Sequence, residues 1–364
     1  MKEIIDLTKK LIRFKSMPSK PQEIKNCIEF IEKYLLNCKA EYSVFNHHKT
    51  PSIRVVPSNG FVPILLMTHI DVVEAPDELF NPVEKNQKLY GRGSIDDKYA
   101  VALTLVLLKK HLQKLHRQGK NQDTLPFGML ITSDEEIGGF KGANKALQDI
   151  ETDFCIVLDG GSLEKIVVKE KGLVRLKLRA RGKETAGSKP CPDKNVIDKL
   201  TDDLKKINTY FLSSVPEHWY RSVNISNITS KKPYNRIPQM AEASVEICYT
   251  ENDQMDAFMN RLHKELHSEI VVETIEPLFD KIPSSYLKLL LKLSKHTAIG
   301  FEDGSNDARF LSKYGIKGII WGANGNQSQH SMSEHVDLDS VNSIYSILDE
   351  FMKRCYAQKN KIAL

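Results

Sequence analysis

Five short stretches of this sequence carry nitrogen and oxygen donors of the kind that hold metal ions. The first is His69-Ile70-Asp71, two polar side chains two residues apart on an extended segment, so both project to one side. A carboxylate so placed can accept from the imidazole of a metal-bound histidine, fixing its tautomer and raising its basicity. The plain alternative is a structural or surface histidine. The second stretch, Gly91-Arg92-Gly93-Ser94-Ile95-Asp96-Asp97-Lys98, is turn-rich and leads into a helical pattern. Its adjacent acids are either charges suited to a helix N-terminus, or Asp96 bridges two ions with its two oxygens. In Ser133-Asp134-Glu135-Glu136 the spacing Ser-x-x-Glu reads as a helix-starting capping box. A compatible reading has Glu136 ligate a metal while Glu135 takes a proton from a metal-bound water. Asp159 followed by two glycines is either a turn or a third carboxylate ligand, and His330 is either an exposed loop histidine or a second imidazole ligand.

Donors spread from position 69 to position 330 meet only if a common framework gathers them. Four apolar runs, Pro63 to Met67, Phe127 to Thr132, Phe154 to Leu158 and Gly318 to Trp321, read as buried strands. Cys27 to Leu36 and Tyr99 to Leu115 repeat apolar residues at helical spacing. The combination predicts an α/β fold whose mostly parallel sheet is flanked by helices. Ligands of such sheets bind beyond the carboxyl ends of the strands. The first three of these strands are followed directly by donors, and His330 lies in the loop beyond the fourth. Two imidazoles and three carboxylates, one of them shared, supply three contacts to each of two ions and leave room for a water. The absence of sulfur donors suits zinc and also cobalt or manganese.

Between Lys171 and Leu278 the pattern changes. Leu173 to Arg181 alternates apolar and basic residues, and strand, helix, strand, strand, helix, strand follow one another to Ile275. One-sided alternation belongs to an open sheet with one wet face. The sequence therefore divides into a catalytic domain, residues 1–171 and 279–364, and an inserted α+β domain of ferredoxin-like order, residues 172–278. A length of 364 residues also exceeds what one core usually serves.

Composition narrows the function classes. Lys and Arg exceed Asp and Glu by 52 to 47, a dispersed net charge of +5 that argues against nucleic-acid binding. No apolar run reaches about 18 residues, which argues against a membrane span. Cys27, Cys38, Cys155, Cys191, Cys248 and Cys355 are scattered with no C-x-x-C pair, suiting a reducing compartment. Ile4, Ile5, Leu7, Leu11 and Ile12 recur at helical intervals among lysines, unlike the core of a signal peptide. A cytoplasmic protein is the expectation.

The order and spacing of these blocks resemble the dinuclear-zinc metallopeptidases and deacylases that include carboxypeptidase G, succinyl-diaminopimelate desuccinylase, acetylornithine deacetylase, aminoacylase and peptidase T. The block Gly304-Ser305-Asn306-Asp307-Ala308-Arg309-Phe310 resembles another that recurs there. The resemblance implies that Asp96 bridges the ions, with His69 and Asp159 completing one and Glu136 and His330 the other. It also implies that Glu135 is the general base, that Asp71 orients His69, that the Asp96-Asp97 peptide is cis, and that the insertion is a lid forming a homodimer interface. Asp159 stands where the deacylases often have Glu and the peptidases of short peptides often have Asp, which favours a peptidase. Three departures stand out. Ala186 occupies the place of a lid histidine thought to stabilise the oxyanion, Cys248-Tyr249 replaces an arginine that anchors substrate carboxylates, and Ser333 replaces the customary Asp or Asn before Glu334. Loss of one oxyanion donor costs on the order of a hundredfold in turnover unless another group substitutes.

The expected activity is hydrolysis of an amide bond in a short peptide, dipeptidase- or aminopeptidase-like. N-acyl amino acid deacylation is the alternative. Asn235 and Arg309 are candidate substrate contacts, against plain readings as a turn residue and a partner for a nearby acid. A binding protein on the same fold, suggested by the altered lid, is the competing class.

Overall fold

The computed structural model describes residues 1–57, 60–188, 195–211, 219–230, 234–280 and 283–362. They form two compact units, one of Met1–Lys169, Lys281–Glu302 and Asn306–Leu364, the other of Glu170–Asp280 and Asp303–Ser305.

In the first unit the strands Phe127–Thr132, Phe61–His69, Glu151–Val157 and Gly318–Ile320 lie side by side in that order, all parallel. Every residue of Phe127–Thr132 is buried, as a parallel strand covered on both faces requires. Antiparallel strands extend both flanks: Thr50–Val55 and Ser43–His47 on one, Lys165–Glu170 on the other. Around the sheet pack the helices Lys2–Ile12, Pro21–Asn37, Lys98–Arg117 and Leu338–Ile362, whose buried Ile4, Ile28, Leu105 and Phe351 join the core with Ile64, Met129 and Ile156. The α/β fold expected from the apolar runs is the one formed. Among the described residues no helix is long and apolar enough to cross a membrane.

Register decides where the strands end. His69 pairs with Thr132, and Met67 and Ile320 flank Val157 on its two sides, so the parallel strands finish at one level. A small sheet unforeseen in the sequence, Val83–Lys85, Lys88–Tyr90 and His335–Asp337, pairs His335 with Tyr90. It thereby brings the turn after Tyr90 beside the loop that ends at Glu334.

The second unit is a four-stranded antiparallel sheet ordered Ser222–Thr229, Met240–Tyr249, Gly172–Arg181, Glu269–Glu276. Helices Val196–Thr209 and Met255–Glu265 supply Leu200, Leu204 and Leu262 to a core with Val174, Leu176 and Leu178. The alternate positions of the central strand carry cross-strand ion pairs instead: Arg175 to Glu246 at 2.9 Å, Lys177 to Glu273 at 2.6 Å and Arg179 to Glu242 at 2.6 Å. The apolar-basic alternation of Leu173 to Arg181 therefore separates a helix-covered face from a wet one.

Candidate metal centre

Four loops converge at the carboxyl ends of the parallel strands. His69 is the last residue of its strand, Glu135 and Glu136 begin a short 3-10 turn beyond Thr132, and Asp159 lies two residues past Val157. Asp96 comes from the turn before helix Lys98–Arg117, and its peptide bond to Asp97 is cis.

The donors form two groups that share one residue. In the first, His69 Nε2 lies 2.9 Å from Asp96 Oδ1 and 3.8 Å from Asp159 Oδ2. In the second, His330 Nε2 lies 2.9 Å from Asp96 Oδ2 and 3.2 Å from Glu136 Oε2. Two ligand atoms ~2.0 to 2.1 Å from one tetrahedral ion stand ~3.3 Å apart, so these separations suit common coordination. His69 Nε2 and Asp96 Oδ1 are buried and, among the described residues, have no hydrogen-bond partner despite their closeness. Such orphaned atoms are costly unless something else satisfies them. The donor set and its spacing therefore fit divalent cations.

Electrostatics points the same way. Burial raises Asp159 to about 8, with the charges of Asp96 and Glu136 adding to the effect. Glu135 is likewise raised well above the carboxylate range by burial and by Asp159. Hydrogen bonding to Asp96 and Glu136 lifts His330 to about 10. Burial by itself would lower His69, but Asp71 and Asp96 hold it well above its ordinary value. Burial would raise Asp96, which His330 and His69 instead hold far down. The cluster is rich in acids and short of positive charge, so cation binding would displace protons from it.

The surrounding residues fix these donors. Asp71 Oδ1 lies 3.4 Å from His69 Nδ1, but the ring's hydrogen bond, at 3.1 Å, is to the Asp71 carbonyl. The Asp71 carboxylate also accepts from the amides of Glu135 at 3.2 Å and Glu136 at 3.0 Å. No capping box forms, because Ser133 Oγ donates to the Pro51 carbonyl and Asp71 takes the amides that a cap would satisfy. Asp97 does not cap its helix; its Oδ2 accepts from the His69 amide at 3.4 Å.

Sequence reasoning missed Arg92 and Glu334. The Glu334 carboxylate accepts from the Gly93 amide at 2.8 Å and the Ile95 amide at 3.4 Å, and it pairs with the Arg92 guanidinium. Arg92 in turn donates to the His330 carbonyl at 3.1 Å. That bond helps hold His330 at φ 62°, a left-handed conformation that costs a non-glycine residue roughly 1 to 2 kcal/mol. No local sequence signal marks either residue, because a charged side chain between two glycines is also what a solvated turn carries.

Neither candidate substrate contact belongs to the two donor groups. Arg309 is buried, donating to the carbonyls of Asn306 and Gly138. Asn235 belongs to the second unit, exposed in a turn, where its carbonyl accepts from the Gly187 amide at 2.8 Å. Ala186 lies in the two-residue strand Thr185–Ala186, and Cys248-Tyr249 ends the strand Met240–Tyr249. Lys189 and Pro190 of the lid block, together with Cys191, fall outside the described residues.

Comparison with known proteins agrees with this fold. The chain is 27% identical to a succinyl-diaminopimelate desuccinylase of Wolbachia pipientis subsp. Culex pipiens, over 98% of this chain and 94% of that one. It is 26% identical to the enzyme of the same name from Nitratiruptor sp., over 96% of this chain and 99% of that one. In fold it resembles a tripeptidase from Staphylococcus aureus, with a TM-score of 0.79, 18% identity and 98% of both chains covered. It also resembles an M20 family metallo-carboxypeptidase from Sulfolobus solfataricus, with a TM-score of 0.76, 17% identity, and 98% of this chain and all of that one covered. Residues 65–354 match peptidase family M20/M25/M40, a family of metal-dependent hydrolases, and the chain belongs to it.

Proposed function

We propose that this hydrolase cleaves an amide bond of short peptides, in the manner of a dipeptidase or aminopeptidase, with two divalent cations at the strand ends. The observation that carries the reading is the pair of donor groups meeting at Asp96, with Glu135 next to a member of one of them. His69, Asp96 and Asp159 would hold one cation, and Asp96, Glu136 and His330 the other. Zinc is the first choice, with cobalt or manganese compatible with the same donors. When bound, such ions lower the pKa of water and polarise a carbonyl oxygen.

The remaining chemistry belongs to the chain. Glu135 Oε takes a proton from the attacking water as its oxygen bonds to the substrate carbonyl carbon. It then delivers that proton to the amine nitrogen as the C–N bond breaks. Burial favours the protonated form that the second step needs. The negative charge of Asp159, which adds to that preference, is the kind a cation offsets. Asp71 holds the amides of both Glu135 and Glu136, keeping proton carrier and donor in fixed relation.

Glu135→Ala should keep the metal content and lose turnover by on the order of 10² to 10⁴-fold. A near-normal rate would reject the role. N-acyl amino acid deacylation is a second reading, favoured by the two relatives named as desuccinylases. A panel of dipeptides, tripeptides and N-acyl amino acids decides between them, and metal uptake without hydrolysis would favour a binding role. Asn235 stays a candidate substrate contact, read by KM in Asn235→Ala. For the inserted unit we propose a lid role and homodimer formation, supported by the exposed Ile228 and Ile275 on its two edge strands and tested by light scattering. The free thiols of Cys27, Cys38, Cys155, Cys248 and Cys355 suit a reducing, cytoplasmic setting.

A further inference from the structure

The loops that carry Glu135 and Asp159 leave strands that are not neighbours. Phe61–His69 lies between Phe127–Thr132 and Glu151–Val157, so the two loops emerge roughly 10 Å apart with no shared ladder between them. One short segment touches both. Asn306 Nδ2 donates to the Asp159 carbonyl at 2.6 Å. Asp307 Oδ2 accepts from Thr132 Oγ1 at 3.2 Å, just before the Glu135 turn, and Arg309 donates to the Gly138 carbonyl at 2.7 Å, just after it.

The segment is itself tied together. Arg309 donates back to the Asn306 carbonyl at 2.9 Å, and Asn306 Oδ1 accepts from the Ala308 amide at 2.8 Å. Asp307 is packed so closely on Gly139 that a Cβ there would stand 1.9 Å from Oδ1. All three side chains are buried and none belongs to either donor group. The bonds that reach the two loops go to main-chain carbonyls and to one hydroxyl beside Glu135 and Asp159, a pattern that sets position.

We propose that Asn306, Asp307 and Arg309 are positioning residues, a clamp that fixes Glu135 relative to Asp159. The proposal rests on the hydrolytic reading for its consequence in turnover, and on the geometry alone for its effect on the two loops. Asn306 governs the Asp159 side; Arg309 and Asp307 govern the Glu135 side. A displacement of about 1 Å at a reacting group costs up to about a hundredfold in rate without comparable loss of binding.

The test compares Asn306→Ala, Arg309→Lys and the near-isosteric Asp307→Asn with the parent chain. Amide hydrogen exchange is measured on the metal-free full chain over 133–140 and 159–161. Asn306→Ala should speed exchange about tenfold in 159–161, and Arg309→Lys and Asp307→Asn should do so in 133–140. Exchange within the strands 127–132 and 151–157 should stay unchanged in all three. In the metal-loaded chain, kcat should fall ten- to a hundredfold while KM stays within about threefold. Unchanged exchange in both loops overturns the clamp, as does faster exchange spread evenly over loops and strands, or unchanged kcat in all three variants. Failure of the parent chain to hydrolyse any substrate would sink the hydrolytic reading instead, and the exchange measurement would still decide the clamp.

Discussion

The Arg92–Glu334 pair allows stability and metal binding to be separated by mutation. Both side chains are buried, Arg92 at 3% exposure and Glu334 at 1%. Glu334→Met strands a buried guanidinium and Arg92→Met strands a buried carboxylate, and breaking such a pair from one side costs about 3 to 5 kcal/mol. Arg92→Met/Glu334→Met leaves neither charge. Its residual cost is the orphaned Gly93 amide, about 1 to 3 kcal/mol, with the longer Ile95 contact adding less. The double variant should therefore be no less stable than either single, whereas additive effects would sum to about 6 to 10 kcal/mol. Metal affinity should not recover with it. The double variant still lacks the acceptor for the Gly93 and Ile95 amides that shapes the turn to Asp96, and the donor to the His330 carbonyl. Loss of such supports weakens metal binding about 10- to 100-fold. Urea unfolding read from the buried Trp321 in a Trp219→Phe background reports the first unit, and chelator competition reports affinity. A double variant that binds ions as tightly as the parent, or a single variant costing under about 1 kcal/mol, would refute the reasoning.

Gly139→Ala should destabilise by about 1 to 3 kcal/mol more than Gly119→Ala. Both glycines have positive φ, at 63° and 66°, but only position 139 has a carboxylate within contact of the new methyl group; equal midpoints in urea would refute this. Asp349→Asn should cost about 1 to 2 kcal/mol at neutral pH, allowing for solvent screening of the half-exposed Lys110 and Lys353. Burial raises the Asp349 carboxyl, but Lys110, Lys353 and His111 outweigh it and hold it at about 2, below its ordinary 3.8. That stability is therefore present above pH 4 and lost as pH falls through about 2, so the parent and variant unfolding curves should merge there. Finally, zinc, cobalt or manganese added to chelator-treated protein should raise stability by about 2.7 kcal/mol per site at a hundredfold excess over Kd, seen by calorimetry as a rise in Tm. An unmoved Tm would argue against any resident cation.

What the sequence disclosed and what it withheld divide on physical lines. His69, Asp96, Glu136, Asp159 and His330 were legible as a set because few side chains ligate a metal and each follows, or loops out from, a recognisable apolar strand or turn. Glu334 was not, because its partners lie about 240 positions away and any acceptor of suitable reach could serve. The strands Ser43–His47 and Val83–Lys85 escaped notice because their mostly exposed residues give no clean alternation of apolar and polar side chains. Ser133-x-x-Glu136 looked like a cap of its own turn, a local inference that a distant group overturned. The Asp71 carboxylate, aimed at two successive amides, is the stronger acceptor and leaves the serine hydroxyl free to bond Pro51. Asp71 was read from the sequence as the support of one histidine. It lies against the His69 ring and also fixes the turn that carries Glu135 and Glu136. Asp71→Asn should therefore disturb both sides of the cluster at once, because the side-chain amide keeps one accepting oxygen for the two backbone N–H groups and turns a donating NH2 toward the other.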